Sequence, residues 1–141
     1  MKTLDRIISN LLLFCFGGFV YYLIEVIYRG HSHWSMYILG GLCFLVMGSV
    51  NKVLPWSMGL IQQVLIAALA TTVMEFIAGL ILNVWWRWGI WDYSNTPFNL
   101  LGQVCLYFYF IWCALSLVGI LLIDFIRWRI YNEEKPHYTV V

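Results

Sequence analysis

The chain has 141 residues, of which 62% are hydrophobic, 18% aromatic and 11% charged, with a mean hydropathy of +0.81. A soluble domain carries about 25% charged residues, so this chain cannot solvate a globular surface, which excludes a soluble enzyme, a disordered tail or a nucleic-acid binder. The net charge of +1 offers no basic field for phosphate, and the solvent for most of the chain is lipid.

A bilayer-spanning helix needs about 20 mostly apolar residues. Runs of that kind cover residues 7–28, 34–50, 58–84 and 100–126. The expected fold is therefore all-α: a polytopic membrane protein, a bundle of four transmembrane helices over 1–130, with a short polar tail over 131–141. Barrel strands would alternate apolar and polar residues, whereas Leu60–Ala70 and Leu115–Ile123 are continuously apolar. A helix also satisfies its own backbone in lipid. The first run follows Lys2 and Arg6 as a signal peptide would. It is long, carries Glu25 and precedes no small-x-small cleavage site, so it reads as a retained helix.

Charge orients the bundle. Lys2, Arg6, Lys52, Arg127, Arg129 and Lys135 share one side, and only Arg29 and Arg87 fall on the other. The positive-inside rule then places both termini in the cytoplasm, and the expected location is the bacterial cytoplasmic membrane. The four cysteines lie inside the spans without CxxC spacing, so no disulfide framework or zinc site is expected, nor any cofactor. His31 and His33 supply too few ligands for a metal and read as solvated loop residues.

Polar residues inside spans are costly and mark function by default. Glu25 lies near the outer end of the first span, and Arg29, one helical turn on, can pair with it. Glu75 lies in the third span with no basic residue within a turn. It must be protonated, paired across helices or exposed to water. The connection from Trp85 to Asn99 adds Arg87, Trp91, Asp92, Tyr93, Asn95 and Asn99, and Gln103 begins the fourth span. These residues suggest a polar vestibule open to the outside. The candidate substrate or ion site is Glu25, Arg29, Glu75, Trp91, Asp92, Tyr93, Asn95, Asn99 and Gln103. The blander reading makes Trp85, Trp86, Trp88 and Trp91 an interfacial aromatic belt, Glu25–Arg29 a structural pair, and Asp92–Asn95 a turn. Gly17, Gly18, Gly40, Gly41, Gly48 and Gly79 mark close helix contacts, inside the bundle or between copies.

The segments Met74–Leu82 (MEFIAGLIL), Trp91–Ser94 (WDYS), Pro97–Cys105 (PFNLLGQVC) and then Trp112 resemble the CmpB-like, type IV ABC-transporter permease family of small bacterial membrane proteins. The resemblance covers Thr71 to Leu117, and Tyr21–Tyr28 is similar to the family's first helix. Over His31–Leu42 the family's Pro and Tyr-Gly elements are missing. The resemblance implies a multi-helix membrane protein with a transport role and names no substrate. No Gly-x4-Gly-Lys-Ser/Thr nucleotide loop is present in the sequence, so ATP coupling is not expected of this chain alone.

The leading expectation is a small oligomeric transporter or channel. Acid and aromatic groups favour a cation or a small cationic amphiphile, while Arg29 and Arg87 would suit an anionic or zwitterionic ligand if they line the cavity. Four spans make a thin bundle, so a homo-oligomer, most simply a dimer, is expected within the lipid bilayer. The alternatives are a membrane-embedded enzyme on a lipid-type substrate, for which no nucleophile–base pair is evident, and an accessory or structural subunit.

Overall fold

The computed structural model describes residues 2–140. Its helices are α1 (Thr3–Arg29), α2 (Trp34–Val53), α3 (Leu60–Gly79) and α4 (Leu106–Arg129). All four are long and apolar enough to cross a membrane, α3 counting with the turn that extends it to Trp85. With four crossings the two termini share one end of the bundle. The other end, here called distal, holds the α1–α2 loop and the long connection before α4.

Each helix stops where its sequence changes. Gly30 takes a left-handed conformation (φ 81°) and its N–H caps the Val26 carbonyl, as a C-terminal glycine does. His33 starts α2, its Nδ1 accepting from the Ser35 N–H at 3.2 Å. That gives a structural task to one of the loop histidines. Beyond Gly79 the helix continues as one π-helical turn, Leu80–Trp85, closed by the Trp86 N–H on the Ile81 carbonyl at 2.9 Å. Single π turns of this kind recur at functional sites.

The fourth helix begins at Leu106 rather than near Leu100. Leu101 (φ 53°) and Gly102 (φ 72°) both hold left-handed backbone, which ends any helix there. They turn a short hairpin instead, β1 (Asn99–Leu100) pairing antiparallel with β2 (Val104–Cys105). Hydropathy alone cannot separate a hairpin built with Leu100, Leu101, Val104 and Cys105 from a helical turn.

The packing is uneven. Helix α2 is the hub: it packs along α1, α3 and α4, while α3 and α4 pack on each other. Helix α1 meets α4 at fewer points, Tyr21 against Trp112 and Asn10 against Arg127 among them. The α1–α2 seam is made of glycines. A Cβ on Gly17 would strike Phe44, one on Gly18 the Tyr37 carbonyl, one on Gly40 Tyr21, and one on Gly41 the Phe14 ring. On the other side of α2, a Cβ on Gly48 would strike Ile123. Small residues allow this close approach where lipid supplies no hydrophobic drive between helices. The glycines singled out in the sequence are thus spent within one copy of the chain. Large side chains such as Leu4, Phe19, Ile27 and Phe110 face outward, as a lipid-facing surface requires.

The residues after α4 fold back across the terminal end. Leu60 donates its N–H to the Thr139 carbonyl, Trp56 stacks near His137 and Tyr138, and the Tyr138 hydroxyl donates to Asp124 Oδ2 at 2.7 Å. Asn51 Nδ2 donates to the same oxygen at 2.7 Å. Arg127, 6% exposed, donates to the Gly48 carbonyl at 2.5 Å and reaches Asn10. One end of the bundle is thus tied by hydrogen bonds from α1, α2, α4 and the tail.

The glycine seam generates a stability prediction. Gly18→Val forces a branched side chain onto the Tyr37 carbonyl and ring, and overpacking of this kind costs about 1–3 kcal/mol. Thermal melting in mild detergent will show a clear drop for Gly18→Val and little change for Phe19→Ala on the outward face of the same helix.

Candidate functional site

Tyr21, Glu25 and Arg29 recur every fourth residue and so share one face of α1. The Tyr21 hydroxyl donates to Glu25 Oε1 at 3.2 Å, and Arg29 Nη1 pairs with Glu25 Oε2 at 3.1 Å. Glu25 is therefore both hydrogen-bonded and charge-balanced. Arg29 Nη2 also donates to the Ile90 carbonyl at 2.8 Å, which fastens the end of α1 to the distal connection.

Glu75 is in a different position. It is 2% exposed, and among the described residues no basic side chain pairs with it. The Tyr93 hydroxyl reaches Oε2 at 3.4 Å, a long contact, while Oε1 has no partner. An isolated buried carboxylate is costly, so in the dry state this group is more easily held as the neutral acid.

Between the two acids lies a cavity of about 140 Å³, whose lining includes Tyr21, Glu25, Glu75, Tyr93, Phe108 and Trp112. Aromatic faces build its walls. Tyr21 stacks on Trp112 with centroids 5.6 Å apart and planes 4° apart. Tyr93 stacks on Phe108 at 4.6 Å and 16°. The arrangement offers one unpaired acid, one compensated acid and π surface, a combination that attracts positive charge. Among the described residues no three His, Cys, Asp or Glu side chains converge as ligands.

The other candidate residues belong to the distal connection and its anchors. Asn83, on the π turn, accepts from the Ile90 N–H at 2.7 Å and donates to Gln103 Oε1 at 2.9 Å. Trp91, 6% exposed, donates its indole N–H to the Gln103 carbonyl at 2.9 Å. Gly79 lies so close that a Cβ there would sit 2.6 Å from Gln103 Oε1. Asn99 donates to the Thr96 carbonyl at 2.8 Å and accepts from the Gly102 N–H at 3.0 Å. Asp92 is exposed and accepts from the Ser94 hydroxyl and, at 2.9 Å, the Ser94 N–H, an Asx turn. Asn95 is exposed at the tip of that turn.

Of the candidates, Glu25, Glu75 and Tyr93 line the cavity. Arg29, Trp91, Gln103 and Asn99 brace it, while Asp92 and Asn95 lie outside. The four tryptophans of the connection also divide. Trp85, Trp86 and Trp88 are exposed and cluster together, as an interfacial belt would, while Trp91 turns inward. Tyr21, Phe108 and Trp112 were not singled out as cavity residues by sequence reasoning. The four-residue step from Tyr21 to Glu25 is the one local signal that points to any of them.

The turn makes a pH prediction. Its Ser94 hydroxyl and amide hold the Asp92 carboxyl below the ordinary aspartate range. A folded-state value below the unfolded one, about 3.9, contributes order that is present above that pH and is lost as pH falls through the folded value. NMR of the Ser94 amide will show this transition below about pH 4, and Asp92→Ala will remove it.

The model of the family described as "Putative ABC-transporter type IV" matches residues 12–141, which takes in every cavity residue. The chain belongs to that family. No curated protein and no solved structure matches it.

Proposed function

We propose that this family member is a small oligomeric transporter or channel that admits a cation or small amphiphile to the Glu25–Glu75 cavity from the outer face of the membrane. The observation that carries the reading is Glu75: buried, without a counter-charge and with a free carboxyl oxygen beside a cavity. Membership of a transporter family and four membrane-crossing helices fit it. Six of the eight Lys and Arg lie at the terminal end, which supports a cytoplasmic location for both termini and an outer location for the distal end.

The arginines do not oppose a cationic ligand. Arg29 is committed to Glu25 and the Ile90 carbonyl, and Arg87 is exposed; neither lines the cavity. Beyond Trp112 toward the terminal end, the space between α1 and α4 is lined by apolar residues. A hydrated ion has no polar path through one copy, which favours a second copy, most simply a dimer, in any complete pathway.

Flux into proteoliposomes tests the reading, with sodium, potassium, protons, chloride and tetramethylammonium as a panel. Wild-type protein will carry a cation, and Glu75→Gln, which keeps the shape and removes the charge, will lower that flux at least about tenfold, the equivalent of roughly 1.4 kcal/mol. Absence of flux from folded protein, or equal flux in the variant, overturns it.

A further inference from the structure

We propose that the ligand is a single-chain cationic amphiphile, with its ammonium head between Glu75 and the aromatic walls and its alkyl tail in a lipid-facing groove between α1 and α4. This rests on the transporter reading above and narrows its substrate class.

The groove is a consequence of the fold. Helix α1 is drawn onto α2 by the glycine seam, while α4 packs on α2 and α3. The space left between α1 and α4 holds a second cavity of about 90 Å³, walled by Phe16 and Val20 on one side and Val118 and Leu122 on the other, over Cys43 and Met47 of α2. Tyr21, Ile24, Trp112 and Leu115 line both this cavity and the acidic one, so the two adjoin. From Tyr28 to Phe16 along α1 the groove runs about 18 Å at 1.5 Å per residue. That is more than half of a hydrocarbon core about 30 Å thick. Its occupant is elongated, polar at one end and apolar along the rest.

Charge selects the head group. Glu25 is already neutralised by Arg29, so Glu75, once ionised, leaves the site short of one positive charge. Its unpartnered Oε1 and the faces of Tyr21, Tyr93 and Trp112 suit an alkylated ammonium, which brings charge and needs few hydrogen-bond acceptors. A sulfate or phosphate head would meet an unpaired acid and find no free arginine.

The rim gives the route. Phe16 is 42%, Ile24 40% and Val118 61% exposed, on surface that acyl chains cover in a bilayer. An amphiphile dissolved in the leaflet can slide in sideways with its head at interface depth. No soluble phase need be crossed.

The test uses the full chain in phosphatidylcholine nanodiscs and a dodecyltrimethylammonium probe with a diazirine at the tail end. Irradiation followed by peptide mass spectrometry will place the label on the segments around Phe16 and Val118. Excess dodecyltrimethylammonium will compete it away and dodecyl sulfate will not. Glu75→Gln and Val118→Trp, each checked by thermal melting for folding, will each reduce labelling at least tenfold. If dodecyl sulfate competes equally, or Glu75→Gln labels like wild type, the groove takes any acyl chain and the inference fails. If nothing labels the groove and Val118→Trp converts a dimer to a monomer, the occupant is a second copy and the inference fails as well. In either case, Glu75-dependent flux of tetramethylammonium leaves the transporter reading standing; loss of both brings it down.

Discussion

A carboxyl that is 2% exposed, unpaired in charge and half unbonded is the constraint around which this small protein is arranged. Lipid cannot hydrogen-bond an acid, so the cost of Glu75 falls on its neighbours. Tyr93 reaches toward it from the distal connection, and Trp112 and Tyr21 stack beside it. Each of these comes from a different element. The distal connection must therefore be fixed in place, which explains why it is braced at every step. Arg29 holds Ile90, Asn83 holds Ile90 and Gln103, and Gln103 holds Trp91.

The two ends of the bundle answer the same problem in opposite ways. At the terminal end, Asp124 and Arg127 are also largely buried, but each is held by hydrogen bonds with other elements. Asp124 accepts from Asn51 and Tyr138, and Arg127 donates to Gly48 and Asn10 and lies 3.9 Å from Glu133. Such a network fixes geometry. Near the distal end, one acid is left unsatisfied beside open volume. The contrast is one of charge: among the described residues, Glu75 is a buried acid with no basic partner, whereas Asp124 and Arg127 share one network, and this supports the ligand-binding role proposed for Glu75.

Much of this was legible in the sequence, and the illegible part has physical causes. Four spans follow from hydropathy alone, since lipid demands continuous apolar runs. The Glu25–Arg29 pair follows from helical spacing, and the isolation of Glu75 follows from the absence of a basic neighbour within a turn. What local pattern cannot give is which aromatic faces inward when 18% of residues are aromatic. Trp112 meets Tyr21 across most of the chain length, and no periodicity encodes that. Asp92, Asn95 and Asn99 look like binding residues by type, yet a turn uses the same types for its own hydrogen bonds, as Asp92 does with Ser94. The hairpin before α4 was hidden because Leu100, Leu101, Val104 and Cys105 run on into the apolar stretch of the fourth span. The return of the tail was hidden because its contacts depend on where α2, α3 and α4 end together.

The measurement closest to the central claim is modification by a lipid-soluble carbodiimide, read by mass spectrometry, with and without tetramethylammonium. Glu75, beside a cavity that adjoins the lipid-facing groove, will be the carboxyl modified in preference to Asp124, whose Oδ2 accepts from Asn51 and Tyr138, and the cation will slow that reaction. If Glu75 is unreactive, or reacts at the same rate with the cation present, the cavity is not where a cation sits and the account is wrong.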